Sequence, residues 1–155
     1  MSKQTDKNNI NDFFKVFKVS PESGQKAVLY QEGVQAGFPS PAEDYVEGML
    51  DLNEHFIRHP SATYVLRVNG DSMIDAGIFD GDYVVVDRSL DPVNNDIIIA
   101  FVDGEFTIKR FVKKDDKTIV LQPENINYQP IVVTSDTDFM IWGVVTGVLR
   151  KIKNI

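Results

Sequence analysis

Cysteine is absent from this chain of 155 residues. Its absence excludes disulfide bonds, thiolate catalysis and cysteine-ligated zinc together, although it does not identify the compartment. Histidine is almost as scarce, because His55 and His59 are the only two. Their four-residue spacing suits one face of a helix, but Pro60 follows at once and no third ligand is evident nearby. We therefore expect polar residues at a helix end here, with no metal and no cofactor.

Long apolar segments are absent as well. The longest largely apolar stretch covers residues 140–149 and contains Gly143, Thr146 and Gly147. A helix that spans a bilayer needs about twenty apolar residues. The beginning of the sequence also lacks the apolar centre of a signal peptide. We expect a cytoplasmic protein without a membrane anchor.

Charge is distributed unevenly along the chain. The net charge is −7, and residues 1–36 hold five lysines and four acidic residues, which leaves eleven basic and nineteen acidic residues in 37–155. An acidic body repels the phosphate backbone of DNA, so we expect protein partners and no direct sequence-specific DNA binding. With 43% hydrophobic residues, the chain can bury one ordinary core. This predicts one globular domain and a tail.

One helix is predicted on the N-terminal side of the domain. Ser40 has the position of an N-cap, Pro41 suits the first helical turn, and Glu43 can complete a capping box. Apolar residues then recur at steps of three and four, and they are Tyr45, Val46, Met49, Leu52 and Phe56. This spacing predicts a helix from about Ser40 to His59 with Tyr45 and Met49 in the core.

Beyond Pro60 the sequence favours short strands separated by turns. The predicted strands cover residues 63–68, 83–87, 97–102, 105–112, 118–122, 131–134 and 139–149. Asp103 and Gly104 tolerate the positive φ angles of a two-residue turn, so they predict a tight hairpin. The fold class is therefore mainly β, with Lys109 on the returning strand of that hairpin.

Residues 1–36 show no sustained helical or strand periodicity, and they mix polar residues with isolated apolar groups. We interpret them as a mobile N-terminal arm. Residues 13–17 are more apolar than a linker requires. They either dock as a strand or short helix, or form a tether with adhesive side chains, and the sequence does not decide between the two.

A serine, a lysine and a dipeptide of small residues together suggest a nucleophile, a base and a bond to be cut. Lys109 follows Ser72 by 37 residues, and Ala36 and Gly37 lie about the same distance before the serine. A serine hydroxyl needs a base, and a lysine can serve if desolvation lowers its pKa. Of the lysines after Ser72, only Lys109 is embedded among apolar residues. The pattern is that of a Ser/Lys protease that cuts itself.

Five segments resemble the LexA-type self-cleaving serine peptidases, and among them the UmuD-type accessory subunits of error-prone polymerases. They are AGFPSPAEDYVE at 36–47, HPSATY at 59–64, GDSMID at 70–75, DGD at 80–82, and VDGEFT at 102–107, which Lys109 follows. The segments occur in the family's order and spacing. The resemblance covers residue 34 to the C-terminus, and residues 1–33 do not match segment by segment.

The resemblance implies a role for each residue. Ser72 matches the family nucleophile, Lys109 matches its general base, and backbone N–H groups near Asp71 and Ser72 would stabilise the oxyanion. The expected cut lies between Ala36 and Gly37, whose small side chains let the strand approach the nucleophile. It would divide the chain into an arm of residues 1–36 and a peptidase domain of residues 37–155.

The resemblance also implies partners. In the family, a RecA filament on single-stranded DNA stimulates self-cleavage during the SOS response to DNA damage. The product, as a homodimer, then joins a UmuC-type translesion polymerase. A LexA-like transcriptional regulator is a second interpretation, but residues 1–36 show no two-helix DNA-reading pattern. A third is a non-catalytic binding module of the same fold. A membrane-bound signal peptidase is disfavoured because no spanning segment is evident.

Overall fold

The computed structural model describes residues 16–18, 26–30, 36–37 and 46–155. The chain divides into two compact units, of which one is Ser20–Arg58 and the other combines Met1–Val19 with His59–Ile155. Strands account for most of the regular structure in the described residues, and one short α-helix accompanies them. The predicted fold class, mainly β with one helix on the N-terminal side, is confirmed.

The larger unit is built on one antiparallel sheet. Its main strands are β4 (Thr63–Arg67), β5 (Tyr83–Asp87), β6 (Ile97–Val102), β7 (Glu105–Lys113), β8 (Ile119–Gln122), β9 (Ile131–Val133) and β10 (Phe139–Leu149). They lie in the order β4-β5-β10-β6-β7-β8-β9. The sequence predicted all seven strands, each within one residue at either end. Strand β1 (Val16–Lys18) pairs with the outer edge of β4, so part of the segment at residues 13–17 is a strand; the rest lies outside the described residues.

The turn between β6 and β7 is the predicted tight hairpin. Val102 pairs with Glu105, and the two residues between them have positive φ angles of 47° at Asp103 and 92° at Gly104. Asp and Gly tolerate this backbone at low cost. The register that follows places Lys109 opposite Ile98, so the hairpin fixes where the lysine lies in the sheet.

Both faces of the sheet are covered by apolar side chains. One cluster contains Leu66, Val68, Met73, Ile78, Val84, Val86, Ile99, Ile108 and Trp142. The other contains Ile98, Ala100, Phe111, Leu121 and Val144. Alternate residues of β6 enter opposite clusters, as the pleat of a strand requires. Met73 and Ile78 come from the connection between β4 and β5, which is thereby anchored to the sheet.

The smaller unit contradicts the predicted helix in part. Residues Val46–Asp51 form strand β3, which pairs with β2 (Lys26–Tyr30), and only Leu52–Phe56 form helix α1. The N-cap is Asp51, whose carboxylate accepts the backbone N–H groups of Asn53 and Glu54. Residues 40–45 lie outside the described residues.

The error has a physical reason. Gly48 disfavours a helix interior by about 1 kcal/mol, and β-branched Val46 prefers a strand. Pairing with β2 satisfies the backbone groups that a helix would have satisfied internally. Met49 is 60% exposed, so its predicted core position was wrong. Among the described residues, no helix has the length and apolarity that crossing a membrane requires.

Gly143 in β10 provides a test of the packing. A Cβ atom at this position would lie 2.6 Å from Val86 Cγ1 and 3.2 Å from the Asp87 carbonyl oxygen. We expect Gly143→Ala to destabilise the fold by about 1–3 kcal/mol because well-packed cores do not accept an added methyl group freely. Urea unfolding followed by circular dichroism measures the loss.

The matched control for this substitution is Gly48→Ala. A Cβ at Gly48 would have no heavy atom within 4 Å, so this variant should be as stable as the wild type or slightly more so. Equal unfolding midpoints for Gly143→Ala and the wild type would contradict the close approach of β10 and β5.

Candidate active site

Ser72 lies on the connection between β4 and β5 and is half-buried. Gly70 begins the turn with a φ angle of 94°, and its N–H donates to the Asp80 carboxylate at 2.7 Å. The next residue after Ser72 is Met73, which is 1% exposed and belongs to the core. Ser72 is therefore partly accessible, although the residue that follows it is buried in the core.

Lys109 projects from β7 toward this serine. Its Nζ atom lies 3.2 Å from Ser72 Oγ, 2.8 Å from Thr107 Oγ1 and 3.0 Å from the Ile108 carbonyl oxygen. The side chain is only 7% exposed. The structure thus brings together the two residues that the sequence selected, which are 37 positions apart in the chain.

The contacts of Lys109 fit both protonation states of its amine, and an ammonium can donate to all three oxygens. A neutral amine has two hydrogens and one lone pair; the Ile108 carbonyl can only accept, and the Thr107 hydroxyl can accept as well. The lone pair is then left for a hydrogen bond from the Ser72 hydroxyl. This arrangement is the one that a base needs before it removes a proton from a serine.

Burial lowers the pKa of the Lys109 amine below that of a free lysine, because desolvation disfavours the ammonium form. In the described part of the chain, none of the ion pairs involves Lys109, so no carboxylate offsets this effect. A larger fraction of Lys109 is therefore neutral near pH 7 than of a lysine in water.

The loop between β8 and β9 makes hydrogen bonds to the backbone around Ser72, and the sequence did not predict these contacts. The Glu124 N–H donates to the Ser72 carbonyl at 2.8 Å, and the Asp75 N–H donates to the Glu124 carbonyl at 2.8 Å. Asn125 Nδ2 donates to the Asp71 carbonyl at 2.9 Å. Nothing in the local sequence signals these contacts, since they join segments about fifty residues apart.

Thr107 was missed as well, although a signal existed for it. Side chains two apart on a strand lie on the same face, so a threonine at 107 was placed beside a lysine at 109. Its hydroxyl holds the amine at 2.8 Å. A polar residue at that spacing from a buried base is a candidate partner of the base.

A small recess opens beside Ser72, with a volume of about 80 Å³. Its walls mix apolar side chains with polar ones, and the polar lining residues are Arg67, Asn69, Ser72 and Thr107. So small a volume suits a short side chain better than a long one.

The structure also describes the other four residues that the sequence singled out. Ala36 and Gly37 form a bend, and both are exposed. His55 is in the last turn of α1, as expected, whereas His59 Nδ1 contacts the Asp87 carboxylate at 2.6 Å. Among the described residues, no group of three or more histidines and acids is arranged to hold a metal ion.

One family model and three known proteins match this chain over most of its length. The family model described as Peptidase S24-like matches residues 28–146. MucA of Escherichia coli is 45% identical over 119 residues, which cover 76% of this chain and 80% of MucA. SamA of Salmonella typhimurium is 44% identical over 128 residues, 83% of this chain and 88% of SamA. The LexA repressor of Clostridium perfringens is 41% identical over 117 residues, 76% of this chain but 56% of the repressor.

The lowered pKa of Lys109 predicts a pH-dependent cost to the fold. Below the folded-state pKa the lysine is protonated in both states and its burial cost is complete; above the unfolded-state pKa of about 10.4 it is neutral in both and the cost disappears. We expect Lys109→Met to unfold at higher denaturant concentration than the parent at pH 7. This advantage should shrink as the pH rises toward 10.

The measurement uses Ser72→Ala as the parent so that no chain is cut during the titration. Lys113→Met is the control, since this lysine is exposed at the end of the same strand and its replacement removes a charge without removing a buried one. A Lys109→Met advantage that stays constant from pH 7 to 10 would show that the gain is not electrostatic.

Proposed function

This chain belongs to the peptidase S24-like family, and we propose that it is a serine endopeptidase that cleaves its own polypeptide. Ser72 is the nucleophile and Lys109 is the general base. The observation that carries the proposal is the 3.2 Å approach of a buried lysine amine to a serine hydroxyl. Family membership confirms the resemblance to the LexA-type and UmuD-type proteins.

The first step forms an acyl-enzyme. Neutral Lys109 removes the hydroxyl proton of Ser72, and Oγ bonds to the carbonyl carbon of Ala36, whose oxygen becomes an oxyanion. The oxyanion is stabilised by backbone N–H groups at Asp71 and Ser72. When the carbonyl reforms, the bond to Gly37 breaks, and protonated Lys109 returns its proton to the new amino group.

The second step releases the arm. A water molecule gives a proton to Lys109 and attacks the ester carbon between Ala36 and Ser72 Oγ. The ester bond then breaks, Ser72 recovers its proton from Lys109, and Ala36 leaves with a carboxyl group. Thr107 Oγ1 and the Ile108 carbonyl can accept N–H groups of the amine whether it is neutral or protonated, so they hold Nζ in the same place through both steps.

The proposed cut between Ala36 and Gly37 leaves an arm of residues 1–36 and a domain of residues 37–155. Both residues are exposed and lie in a bend, which favours access to the peptide bond. The small recess beside Ser72 suits a side chain as short as that of Ala36. The small size of Ala36 and Gly37 is the second argument for a cut between them.

We propose that the cut form works in the SOS response as a homodimeric accessory subunit of a UmuC-type translesion polymerase in the cytoplasm. RecA filaments on single-stranded DNA stimulate the cut. These roles follow from the UmuD-type resemblance. The acidic body agrees with protein partners rather than with direct binding to DNA.

A self-cleaving transcriptional regulator is the second candidate, because a LexA repressor is 41% identical to this chain. The match covers 56% of that repressor, and residues 1–36 carry only five basic residues. A gel-shift assay with operator DNA separates the two: specific retardation favours the regulator. The non-catalytic alternative requires that pure protein remain intact at alkaline pH.

The dyad predicts a defined pattern of loss. Ser72→Ala and Lys109→Ala should each lower self-cleavage at least 10²-fold, the scale of a lost general base, while Lys113→Ala cleaves like the wild type. The wild-type rate should rise with pH as Lys109 loses its proton and then level off below the pKa of a free lysine. Gel densitometry of purified protein between pH 6 and 11 measures the profile. Cleavage in Lys109→Ala at the wild-type rate and with the same pH profile would identify another base.

The position of the cut predicts one product. Cleavage should give a single fragment that begins at Gly37, which N-terminal sequencing identifies. Gly37→Glu should block cleavage because a long charged side chain obstructs close approach to Ser72, whereas Ala36→Ser should still cleave. Both variants should unfold cooperatively like the wild type. A C-terminal fragment with any other first residue would refute the assigned site.

A further inference from the structure

The two peptide bonds that flank Ser72 are both held by the loop between β8 and β9. Asn125 Nδ2 donates to the carbonyl of Asp71 at 2.9 Å, and the Glu124 N–H donates to the carbonyl of Ser72 at 2.8 Å. Two consecutive residues of the loop thus bind two consecutive carbonyls. The backbone on either side of the nucleophile cannot rotate without breaking one of these bonds.

Planarity of the peptide bond transmits this constraint to the N–H of Ser72. The Asp71 carbonyl and the Ser72 N–H belong to one planar unit and point in opposite directions when the bond is trans, and the described residues contain no cis peptide bond. A donor that fixes the carbonyl therefore fixes the direction of the N–H as well. Among the hydrogen bonds between described residues, none uses the N–H of Ser72, so it remains available for an oxyanion.

The orientation of the Asn125 amide is itself determined by its surroundings. Its Oδ1 accepts the backbone N–H of Asn127 at 3.0 Å, and only the oxygen of an amide can accept from an N–H. The nitrogen must then face the Asp71 carbonyl. Asn125 is 6% exposed, so water competes little for these two bonds.

The same loop is attached to the strand that carries the base. The Glu124 carboxylate accepts a hydrogen bond from Arg110 Nε, and Arg110 follows Lys109 directly in β7. Arg110 also donates to the Asn95 carbonyl at 2.7 Å. The loop between β8 and β9 therefore binds both the peptide bonds that flank Ser72 and the strand that carries Lys109.

We propose that Asn125 is a positioning residue for the proposed self-cleavage: it directs the Ser72 N–H toward the oxyanion of the Ala36 carbonyl. Its hydrogen bond also withdraws electron density from the Asp71 carbonyl, which makes the N–H of that peptide unit a stronger donor. The hydrogen bonds described for Asn125 join it to Asp71 and Asn127, not to Ser72 Oγ or Lys109. Removal of its side chain should thus slow the chemistry without changing the protonation of the base.

The test compares the full pH–rate profile of self-cleavage in variants of one loop. Asn125→Ala should lower the plateau rate roughly tenfold to a hundredfold, less than the 10²–10³-fold loss of a whole oxyanion donor, and should leave the midpoint of the profile in place. Asn127→Ala is the matched control, since the side chain of Asn127 is exposed and the same residue type is removed two positions away. It should cleave at the wild-type rate.

Two further variants separate positioning from stability. Asn125→Asp keeps the volume and the acceptor for the Asn127 N–H but replaces the donor, so its plateau should fall as in Asn125→Ala even if the alanine variant folds poorly. Tyr128→Phe removes the bond from Tyr128 to the Asp71 carboxylate and leaves the peptide bond held. Its rate should stay within about threefold of the wild type, the scale of an exposed hydrogen bond.

The outcomes distinguish this inference from the function on which it rests. A wild-type chain that stays intact at every pH refutes self-cleavage itself, and the positioning role with it. A wild-type chain that cleaves, with Asn125→Asp at the same plateau as Asn127→Ala, refutes the positioning role alone. A shifted midpoint in Asn125→Ala, which adds no charge, would mean that the residue acts through Lys109 instead. A lower plateau at an unchanged midpoint supports the inference.

Discussion

The arrangement of the candidate site depends on one costly interaction, the burial of the Lys109 amine with no carboxylate paired to it among the described residues. Its partners are a hydroxyl on each of two side chains and one backbone carbonyl. Neutral oxygens satisfy the hydrogen bonds of the amine but do not stabilise its positive charge, so desolvation lowers the pKa. A carboxylate at this place would have stabilised the fold and disabled the base. The surrounding sheet must therefore supply the stability, and β6, buried on both faces, lies directly beside the lysine.

The fold was largely predictable where its signals are local. Each strand from β4 to β10 is bounded by turn residues, and Asp103 with Gly104 specifies a turn through their own backbone preferences. Val46–Asp51 was misassigned because its structure depends on a partner about twenty residues earlier in the chain. Within six residues, apolar positions at steps of three and four also occur by chance. Pairing with β2 makes this segment a strand, and no local pattern in the sequence predicts that pairing.

The candidate site was predictable to the same extent. Ser72 and Lys109 are recognisable by motif and spacing, and the structure places their reactive atoms 3.2 Å apart. Alternation along β7 could not show which of its faces is buried, and only the sheet decides that. Asn125 was beyond sequence reasoning, because an asparagine in a turn most often bonds to its own backbone. This one does so with its oxygen and uses its nitrogen for Asp71, 54 residues away.

The division of the chain into two units has a consequence for how the proposed cleavage is controlled. Ser72, Lys109, Thr107 and Asn125 all belong to the unit that combines Met1–Val19 with His59–Ile155, and the hydrogen bonds described for them join residues of this unit. The scissile pair belongs to the other unit. Under the proposed function, the base and the nucleophile are therefore assembled by contacts within one unit. Under the proposed function, the remaining variable is how often the Ala36 carbonyl reaches Ser72 in a reactive orientation, which a tether alone does not guarantee. A stimulus that favours that orientation would raise the rate without changing the dyad.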